Sequence, residues 1–185
     1  MSKQVPWLSI IGIGVGGLDS LSPVARSALD SAKVIFGGKR HLKFLGDDSR
    51  DLQNWSSPFV KSIDRILSFR GKSVAILATG DPLWYGAGST LLKVIPPEET
   101  RVYPSSSAYS LAAARMGWPL GDPMVKCISV HALPFESVLR MVQPNVRLLI
   151  LSRDKETPGR LAKQLVEVGY GGSRMCVLER MGGAH

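Results

Sequence analysis

The chain has 185 residues, 44% of them hydrophobic and 21% charged, which is the composition of a folded globular protein. This length allows one large domain or two small ones. No apolar run approaches the roughly 20 residues of a membrane helix, and the apolar start leads into a glycine-rich turn, so we predict a buried first strand there and no signal peptide. Cys127 and Cys176 lack the spacing of a metal site or a disulfide framework, so we expect no bound metal and a cytoplasmic location.

The net charge of +8, from 23 lysines and arginines against 15 aspartates and glutamates, favours anionic partners. The basic residues are dispersed and lack the dense run or the aromatic motif of nucleic-acid-binding proteins, so we do not expect nucleic acid to bind. A small polycarboxylate or a phosphate ligand explains the sign of the charge equally well, and so does a basic surface without such a partner.

Strand-like apolar runs alternate with amphipathic helical patterns, which predicts an α/β fold. In chain order, the first part contains a strand at 7–13, a helix from Pro23 capped by Ser22, a strand at 34–36, a helical turn at 40–45, a polar loop at 47–58, a helix at 60–69, a strand at 73–78, a helix at 88–95, a strand at 101–103 and a helix at 108–116.

Glycine and proline concentrate in "GWPLGDP", so we place a domain boundary there and expect two α/β lobes, 1–118 and 119–185. The second lobe contains a strand at 125–130, a helix at 135–142, a strand at 146–151, a helix at 158–168 and a strand at 175–178. It is small, and the chain stops at "MGGAH" without an evident closing element, so we expect this lobe to be incomplete.

The first strand ends in Gly12, Gly14 and Gly17, which formally match the dinucleotide-binding fingerprint. That fingerprint requires a helix to begin at the last glycine and a carboxylate to follow the second strand. Here the helix signal comes later, at Ser22, and no carboxylate follows at 36–39. A nicotinamide or flavin enzyme is therefore disfavoured, and what remains is a glycine loop at the end of a strand.

Three loops follow predicted strands: the glycine loop (12–17), the aspartate loop "GDPLWYG" (80–86) and the serine loop "YPSSSAYS" (103–110). In a parallel sheet these loops share one edge, so we expect them to converge on a site. Gly80 allows a close backbone approach, and Asp81 supplies a carboxylate suited to an ammonium group or a ribose hydroxyl. Each loop also has a purely structural explanation, in which Asp81 caps a turn and Ser107 caps a helix.

Three motifs resemble the tetrapyrrole (corrin/porphyrin) methyltransferases: "GIGVGG" near the amino terminus, "GDPLWYG" after a central strand and "PSSSA" before a helix. Further matches are "SVH" at 129–131 and "TPGRLAKQLVEVG" at 157–169, so the resemblance covers nearly the whole chain. The phrases "LSPVARSALDSAKVIFGGKRHL" and "ISVHALPFESV" are most similar to the branch that methylates carbon C5 of a precorrin in cobalamin biosynthesis.

The resemblance implies a class III S-adenosylmethionine-dependent methyltransferase made of two α/β lobes, with the active site in the cleft between them. It implies that the cofactor is bound by Val15, Gly80, Asp81, Trp84, Ser107, Ala108 and Leu133. It further implies a polycarboxylate tetrapyrrole as substrate, which we expect to be held by Lys39, Arg40, Lys43 and Tyr85. Tyr85 and His131 are the candidate catalytic residues. We also expect a homodimer, and a fused or separate partner domain for C15 methylation and decarboxylation.

The sequence departs from the family pattern at several positions. Val15 stands where proline is usual, Gly17 where an acidic residue is common, and Ala132-Leu133 where the branch often has Gly-Arg. The family domain usually continues past the Gly-Gly of "ERMGGAH", so we expect that closing strands or a second domain are missing. Three alternatives stay open: methylation of another precorrin carbon or tetrapyrrole, a non-catalytic domain that binds the cofactor or an intermediate, and a nucleic-acid module.

Overall fold

The computed structural model describes residues 5–183, and contacts divide them into two units. The first unit contains residues 5–107 and 182–183, and the second contains Ala108–Met181. The division falls ahead of the expected boundary after residue 118 and assigns the alanine-rich helix to the second unit.

The packing of helix 108–116 explains where the division falls. Its side chains Tyr109, Ala112 and Ala113 form one buried cluster with apolar residues of the second unit, Val125 among them. Because apolar contacts hold the helix to this unit, the glycine- and proline-rich segment that follows it is a turn within the unit.

A parallel sheet of five strands forms the centre of the first unit. In chain order, its strands are β1 (Leu8–Ile13), β2 (Val34–Gly37), β3 (Asp51–Asn54), β4 (Val74–Thr79) and β5 (Thr100–Tyr103). Their spatial order is β3-β2-β4-β1-β5, and every neighbouring pair is parallel. This confirms the predicted α/β fold and brings the ends of β4, β1 and β5 side by side.

The two faces of this sheet carry separate apolar layers, because successive side chains of a strand point to opposite faces. On β1, Leu8 and Ile10 join one buried cluster, whereas Ile11 and Ile13 join the other. Strand β4 alternates in the same way. A sheet covered on both faces requires strands that are apolar at nearly every position, and this is the pattern of the central strands here.

Short helices connect the strands of the first unit. They are α1 (Pro23–Asp30), α2 (Lys39–Leu42), α3 (Ile63–Leu67) and α4 (Ala87–Leu91), with 3₁₀ turns at Gly17–Ser20, Lys43–Leu45, Phe59–Ser62 and Pro97–Glu99. The predicted cap of α1 is confirmed, since Ser22 Oγ accepts a hydrogen bond from Ala25 N at 3.3 Å and Pro23 is the first helical residue. None of the helices in residues 5–183 has the length and apolar composition needed to span a membrane.

Strand β3 lies inside the stretch 47–58, so the prediction of a loop there is wrong for residues 51–54. The strand is at the edge of the sheet beside β2, and both of its end residues are exposed. Its sequence, Asp-Leu-Gln-Asn, contains one apolar residue. An edge strand of this composition lacks the apolar periodicity by which strands are recognised in a sequence.

The second unit consists of two parallel strands and three helices. In chain order, they are α5 (Ala108–Met116), β6 (Val125–Ser129), α6 (Glu136–Leu139), β7 (Arg147–Leu151) and α7 (Thr157–Glu167). All five were predicted, although α6 is shorter than the predicted helix 135–142. A buried cluster of Ile128, Val130, Phe135, Val138 and Leu161 joins β6 to the helices that follow it.

The predicted strand at 175–178 is wrong, because these residues have no regular secondary structure. Met175 and Val177 of this apolar run are both exposed. Leu178 instead packs against the buried cluster around Tyr109. A short apolar run forms a strand only where a neighbouring strand pairs with its backbone.

Arg50 connects the end of α1 to the segment before β3. Its Nη1 donates to the carbonyls of Leu29 at 2.6 Å and Ala32 at 3.2 Å, near the carboxyl end of the helix. Its Nε and Nη2 donate to the Asp48 carboxylate at 2.9 and 2.5 Å. These hydrogen bonds are the main reason why the pKa of Asp48 is lowered to about 2.

This ion pair predicts an acid-sensitive contribution to stability. The ordinary pKa of the carboxyl group is 3.8, so the contribution is present above that pH and is lost as the pH falls towards 2. The lowering of the Asp48 pKa by nearly two units corresponds to at most about 2.5 kcal/mol, and because the pair is partly exposed we expect roughly 1 kcal/mol. Urea unfolding of Asp48→Asn should show this loss at pH 7 and a smaller difference from wild type at pH 3. The exposed neighbour Asp47, replaced by asparagine, is the control and should unfold like wild type.

Candidate functional site

The three predicted loops leave the sheet of the first unit at adjacent strands. The glycine loop follows β1, the aspartate loop follows β4 and the serine loop follows β5, and β1 lies between the other two. We call this side, where the strands end, the carboxyl edge of the sheet. The order of the strands therefore places the loops together as the sequence predicted, at the position where parallel sheets bind ligands.

Gly12 is the point at which the backbones of all three strands meet. A Cβ atom on this residue would lie 2.0 Å from the carbonyl oxygen of Gly80 and 2.7 Å from the amide nitrogen of Ser105. These two groups also approach each other, since Ser105 N donates to Gly80 O at 3.3 Å. Only glycine fits at this position because both neighbours are backbone atoms, which cannot rotate away.

The aspartate loop is folded tightly around Pro82. Gly80 begins it with φ +60°, in the left-handed region that favours glycine. Cβ atoms on Gly86 and Gly88 would lie 2.6 and 2.8 Å from the Pro82 carbonyl oxygen. Asp81 is half-buried, and its Oδ1 accepts a hydrogen bond from Leu83 N at 2.9 Å. Asp81 thus caps the turn, and within residues 5–183 its second carboxylate oxygen makes no hydrogen bond.

Trp84 and Tyr85 are on the surface of this loop and not in the core, with 37% and 41% of their area exposed. Tyr85 has φ 57°, an unusual value for a residue other than glycine. Val15 of the glycine loop is also exposed. The structure therefore presents three apolar candidate residues to solvent from two neighbouring loops.

The serine loop closes over the start of the aspartate loop. A Cβ atom on Gly80 would lie 3.1 Å from Ser106 O and 3.3 Å from Ser107 Cα, and Ser107 itself is buried. A cavity of about 360 Å³ lies beside these residues. Its lining is formed by Gly12, Ser20, Leu21, Ser22, Ala25, Pro104, Ser105 and Ser106.

The predicted substrate-binding residues Lys39, Arg40 and Lys43 lie in and just after α2, which begins where β2 ends. All three are exposed. Arg40 reaches the neighbouring strand, where its Nη2 donates to Thr79 Oγ1 at 3.2 Å. Thr79 is the last residue of β4 and precedes Gly80, so the structure brings this basic segment to the base of the aspartate loop.

His41 is buried beside this contact, and its Nε2 lies 2.9 Å from Thr79 Oγ1. Burial, followed by the positive charge of Arg40, lowers the pKa of His41 below its ordinary value of 6.5, although the backbone of Leu77 partly opposes this. The imidazole is therefore neutral at neutral pH. Its ring packs edge-on against Trp55 at a centroid distance of 5.9 Å.

The remaining candidates, Ala108, His131 and Leu133, belong to the second unit. His131 is exposed two residues after the end of β6, and Leu133 is half-buried. Arg153 holds the turn that carries them, because its Nε donates to Val130 O at 3.0 Å and its Nη2 to Leu133 O at 3.5 Å.

The second unit also contains a cavity of about 1220 Å³. Strand β7, helix α7 and residues 172–178 contribute to its lining, and Ala108 is the only predicted site residue that borders it. In the part of the chain that the structure describes, no cluster of three metal-ligating side chains occurs in either unit.

Sequence reasoning missed Thr79, His41 and Arg153. The first two flank motifs that the sequence singled out: Thr79 precedes "GDP", and His41 stands between basic residues in "KRHLK". Their contact depends on the pairing of β2 with β4, in which Gly37 faces Leu77, and no local pattern reveals such a register.

Comparison with known proteins gives a family match and close relatives. Residues 8–185 match the family described as Tetrapyrrole (Corrin/Porphyrin) Methylases. Over 180 residues the chain is 41% identical to the decarboxylating precorrin-6Y C(5,15)-methyltransferase of Sinorhizobium sp, covering 97% of this chain and 43% of that protein. It is 30% identical over 185 residues to the cobalt-precorrin-7 C(5)-methyltransferase of Salmonella typhimurium, covering 94% of this chain and 85% of that protein. The chain thus spans less than half the length of the first relative.

Solved structures agree with this match. The precorrin-6Y methylase of Archaeoglobus fulgidus superposes with a TM-score of 0.61 at 30% identity, over 78% of this chain and 72% of that one. The methyltransferase CobJ superposes with a TM-score of 0.69 over 88% of this chain and 76% of that one, and at 22% identity this likeness supports the fold alone.

The approach of the three loops predicts that Gly12→Ala is strongly destabilising. The new methyl group would overlap two backbone groups, which requires β1 to separate from the loops after β4 and β5, and we expect a loss of about 1–3 kcal/mol or more. Gly14→Ala is the matched control, because its Cβ would meet only the Ser20 side chain, at 3.5 Å. Chemical unfolding of both variants measures the difference. Equal stability of the two proteins would show that the loops do not meet at Gly12.

Proposed function

Because the chain belongs to the tetrapyrrole (corrin/porphyrin) methylase family, we propose that it is an S-adenosylmethionine-dependent methyltransferase acting on carbon C5 of a precorrin in cobalamin biosynthesis. The proposal also assigns a site to the chemistry: the three loops at the carboxyl edge and the basic segment beside them.

The choice of C5 as the methylated carbon rests on the names of two relatives. One relative is named for both C5 and C15, and this chain corresponds to 43% of it. The other is named for C5 alone, and this chain corresponds to 85% of it. The activity common to both names is C5 methylation, and the region common to both is the one this chain contains. C15 methylation and decarboxylation would then belong to a separate part of the fused relative or to a partner protein.

The first-unit residues fit the methionine part of the cofactor. Gly12 and Gly80 let the backbones of the loops approach one another closely, and Asp81 follows with a half-buried carboxylate. We propose that Asp81 binds the ammonium group and that Trp84 covers the cofactor chain, with Val15 and Ser107 on either side. Ala108 and Leu133 are proposed to contact the cofactor from the second unit.

S-adenosylmethionine supplies a sulfonium methyl group, which a nucleophilic ring carbon displaces. This reaction needs alignment of the two partners more than it needs an acid or a base, and positioning of this kind can lower a barrier by up to about 7–11 kcal/mol. The task of the protein is therefore to hold both molecules in line and to exclude water. His131, which is exposed, is the proposed acceptor for the proton that the methylated carbon releases, and Tyr85, also exposed, is the second proposed catalytic residue.

The basic segment offers the anionic rim of the proposed substrate a cationic contact. Corrin precursors carry acetate and propionate carboxylates around an apolar ring face. Lys39, Arg40 and Lys43 place positive charge at the carboxyl edge, and Trp84 and Tyr85 offer exposed aromatic surface next to it. We propose that the cations meet the carboxylates and that the aromatic rings face the macrocycle.

Cofactor binding tests the proposal directly. S-adenosylhomocysteine should bind the wild-type protein in a calorimetric titration. Asp81→Ala removes both the turn cap and the charge, whereas Asp81→Asn keeps an oxygen that can accept from Leu83 N and removes only the charge. We expect Asp81→Asn to keep the thermal stability of wild type and to bind S-adenosylhomocysteine about ten-fold more weakly or worse. If a folded wild-type protein does not bind this molecule, the methyltransferase assignment fails, and if Asp81→Asn binds it normally, Asp81 is only a turn cap.

Steady-state kinetics test the substrate contact. Arg40→Ala should raise the KM for the tetrapyrrole several-fold and leave the affinity for S-adenosylmethionine unchanged, and the effect should shrink as salt is added. Lys33→Ala is the matched control: it removes the same charge at the opposite end of β2, just before Val34. An equal effect of the two substitutions would mean that only net charge matters, and an unchanged KM at low salt for Arg40→Ala would remove this residue from the substrate site.

A further inference from the structure

Two nitrogen atoms converge on one hydroxyl oxygen at the end of β4. Arg40 Nη2 lies 3.2 Å from Thr79 Oγ1, and His41 Nε2 lies 2.9 Å from the same atom. The proposed function has no role for Thr79 or His41. Their arrangement is specific nevertheless, because consecutive residues of a short helix both reach a neighbouring strand.

The guanidinium group of Arg40 is always a donor, so one lone pair of Thr79 Oγ1 is already used. A neutral imidazole carries its proton on one of its two nitrogens. In residues 5–183, Nδ1 of His41 is buried without a hydrogen-bond partner, whereas Nε2 faces Thr79 Oγ1. Nδ1 lacks a partner in both tautomers, but an orphaned buried N–H group is rarer in proteins than an orphaned lone pair, so the geometry favours a proton on Nε2.

With both nitrogens donating, the two lone pairs of the Thr79 oxygen are occupied. The hydroxyl proton must then point away from Arg40 and His41, towards another acceptor. Thr79 and Arg40 are both exposed, and in the described chain no carboxylate lies within ion-pair distance of Arg40. An oriented hydroxyl donor and a guanidinium group with further N–H donors thus face solvent side by side.

We infer that the Thr79 hydroxyl and the Arg40 guanidinium form a carboxylate-binding subsite at the carboxyl edge, and that His41 is a positioning residue that directs the hydroxyl outward. Two donors at this spacing suit the oxygens of one carboxylate. The identity of the ligand rests on the proposed function: the carboxylate belongs to the rim of the tetrapyrrole, and the other possible source is the α-carboxylate of the cofactor.

The orientation of the hydroxyl group can be measured without any ligand. Nitrogen-15 NMR of the imidazole distinguishes the two tautomers, and the chain contains only three histidines to assign. We expect the signals of His41 at pH 7.5 to show a proton on Nε2 and none on Nδ1. A proton on Nδ1 would turn Nε2 into an acceptor for Thr79, direct the hydroxyl inward and overturn the inference.

Binding of uroporphyrin I, a stable polycarboxylate tetrapyrrole, and of S-adenosylhomocysteine tests the subsite. Thr79→Val replaces the hydroxyl with a methyl group of similar size, and we expect it to weaken uroporphyrin binding on the order of ten-fold while the affinity for S-adenosylhomocysteine is unchanged. Thr79→Ser keeps the hydroxyl and should bind like wild type. His41→Phe should weaken uroporphyrin binding as well, and His41→Gln, which can donate from its amide, should restore part of it. Each variant is first checked for wild-type thermal stability.

Each outcome of this experiment has a definite meaning. Weaker binding of S-adenosylhomocysteine alone by Thr79→Val would keep the subsite and assign it to the cofactor, provided that an analogue lacking the α-carboxylate binds both proteins equally. Unchanged binding of both molecules by a stable Thr79→Val protein would overturn the inference, and so would a loss that accompanies unfolding and is shared by Thr79→Ser. Failure of the wild-type protein to bind S-adenosylhomocysteine would instead contradict the proposed function.

Discussion

The contact of three backbones at Gly12 is the constraint on which the site depends. A strand at the centre of a sheet normally keeps its neighbours about 4.8 Å away and fills the space at its end with side chains. Here Gly12, the last residue but one of β1, has no side chain, so the Gly80 carbonyl and the Ser105 amide come close enough beside it to hydrogen-bond to each other. The loops after β4 and β5 consequently begin from a common point, which fixes the position of Asp81 and Ser107 relative to each other.

The aspartate loop maintains an unusual conformation from this fixed start. Gly80 has a left-handed backbone, Gly86 and Gly88 pack against the Pro82 carbonyl, and Tyr85 has a positive φ. A non-glycine residue in this region costs on the order of 1–3 kcal/mol, which the surrounding contacts must offset. A closely packed loop of this kind suits the alignment that the proposed methyl transfer requires, because positioned groups lose little entropy when they bind.

The sequence predicts best those structural features that a few adjacent residues determine. Helix α1 was predicted with its cap because Ser22 and Pro23 carry the start signal in two adjacent residues. Strand β3 was missed because an edge strand can be polar, and the strand predicted at 175–178 is a short apolar run with no neighbouring strand to pair with. The convergence of the three loops could be predicted because each loop follows the carboxyl end of a strand in a parallel sheet. The contact of Arg40 with Thr79 could not, because it requires the order and register of β2 and β4, and these are set by the whole sheet.

The net positive charge of the chain indicates where an anion could bind only when the partner of each arginine is known. Arg50 is held by Asp48, and Arg70 by Glu99, so their charges are matched within the fold. Arg40 is held by a neutral hydroxyl, which orients the guanidinium group without cancelling its charge. An arginine that is fixed in this way loses less freedom when it binds an anion than a mobile surface lysine does. The contact with the Thr79 hydroxyl therefore makes Arg40 a better proposed binding point for a carboxylate than the rest of the basic surface.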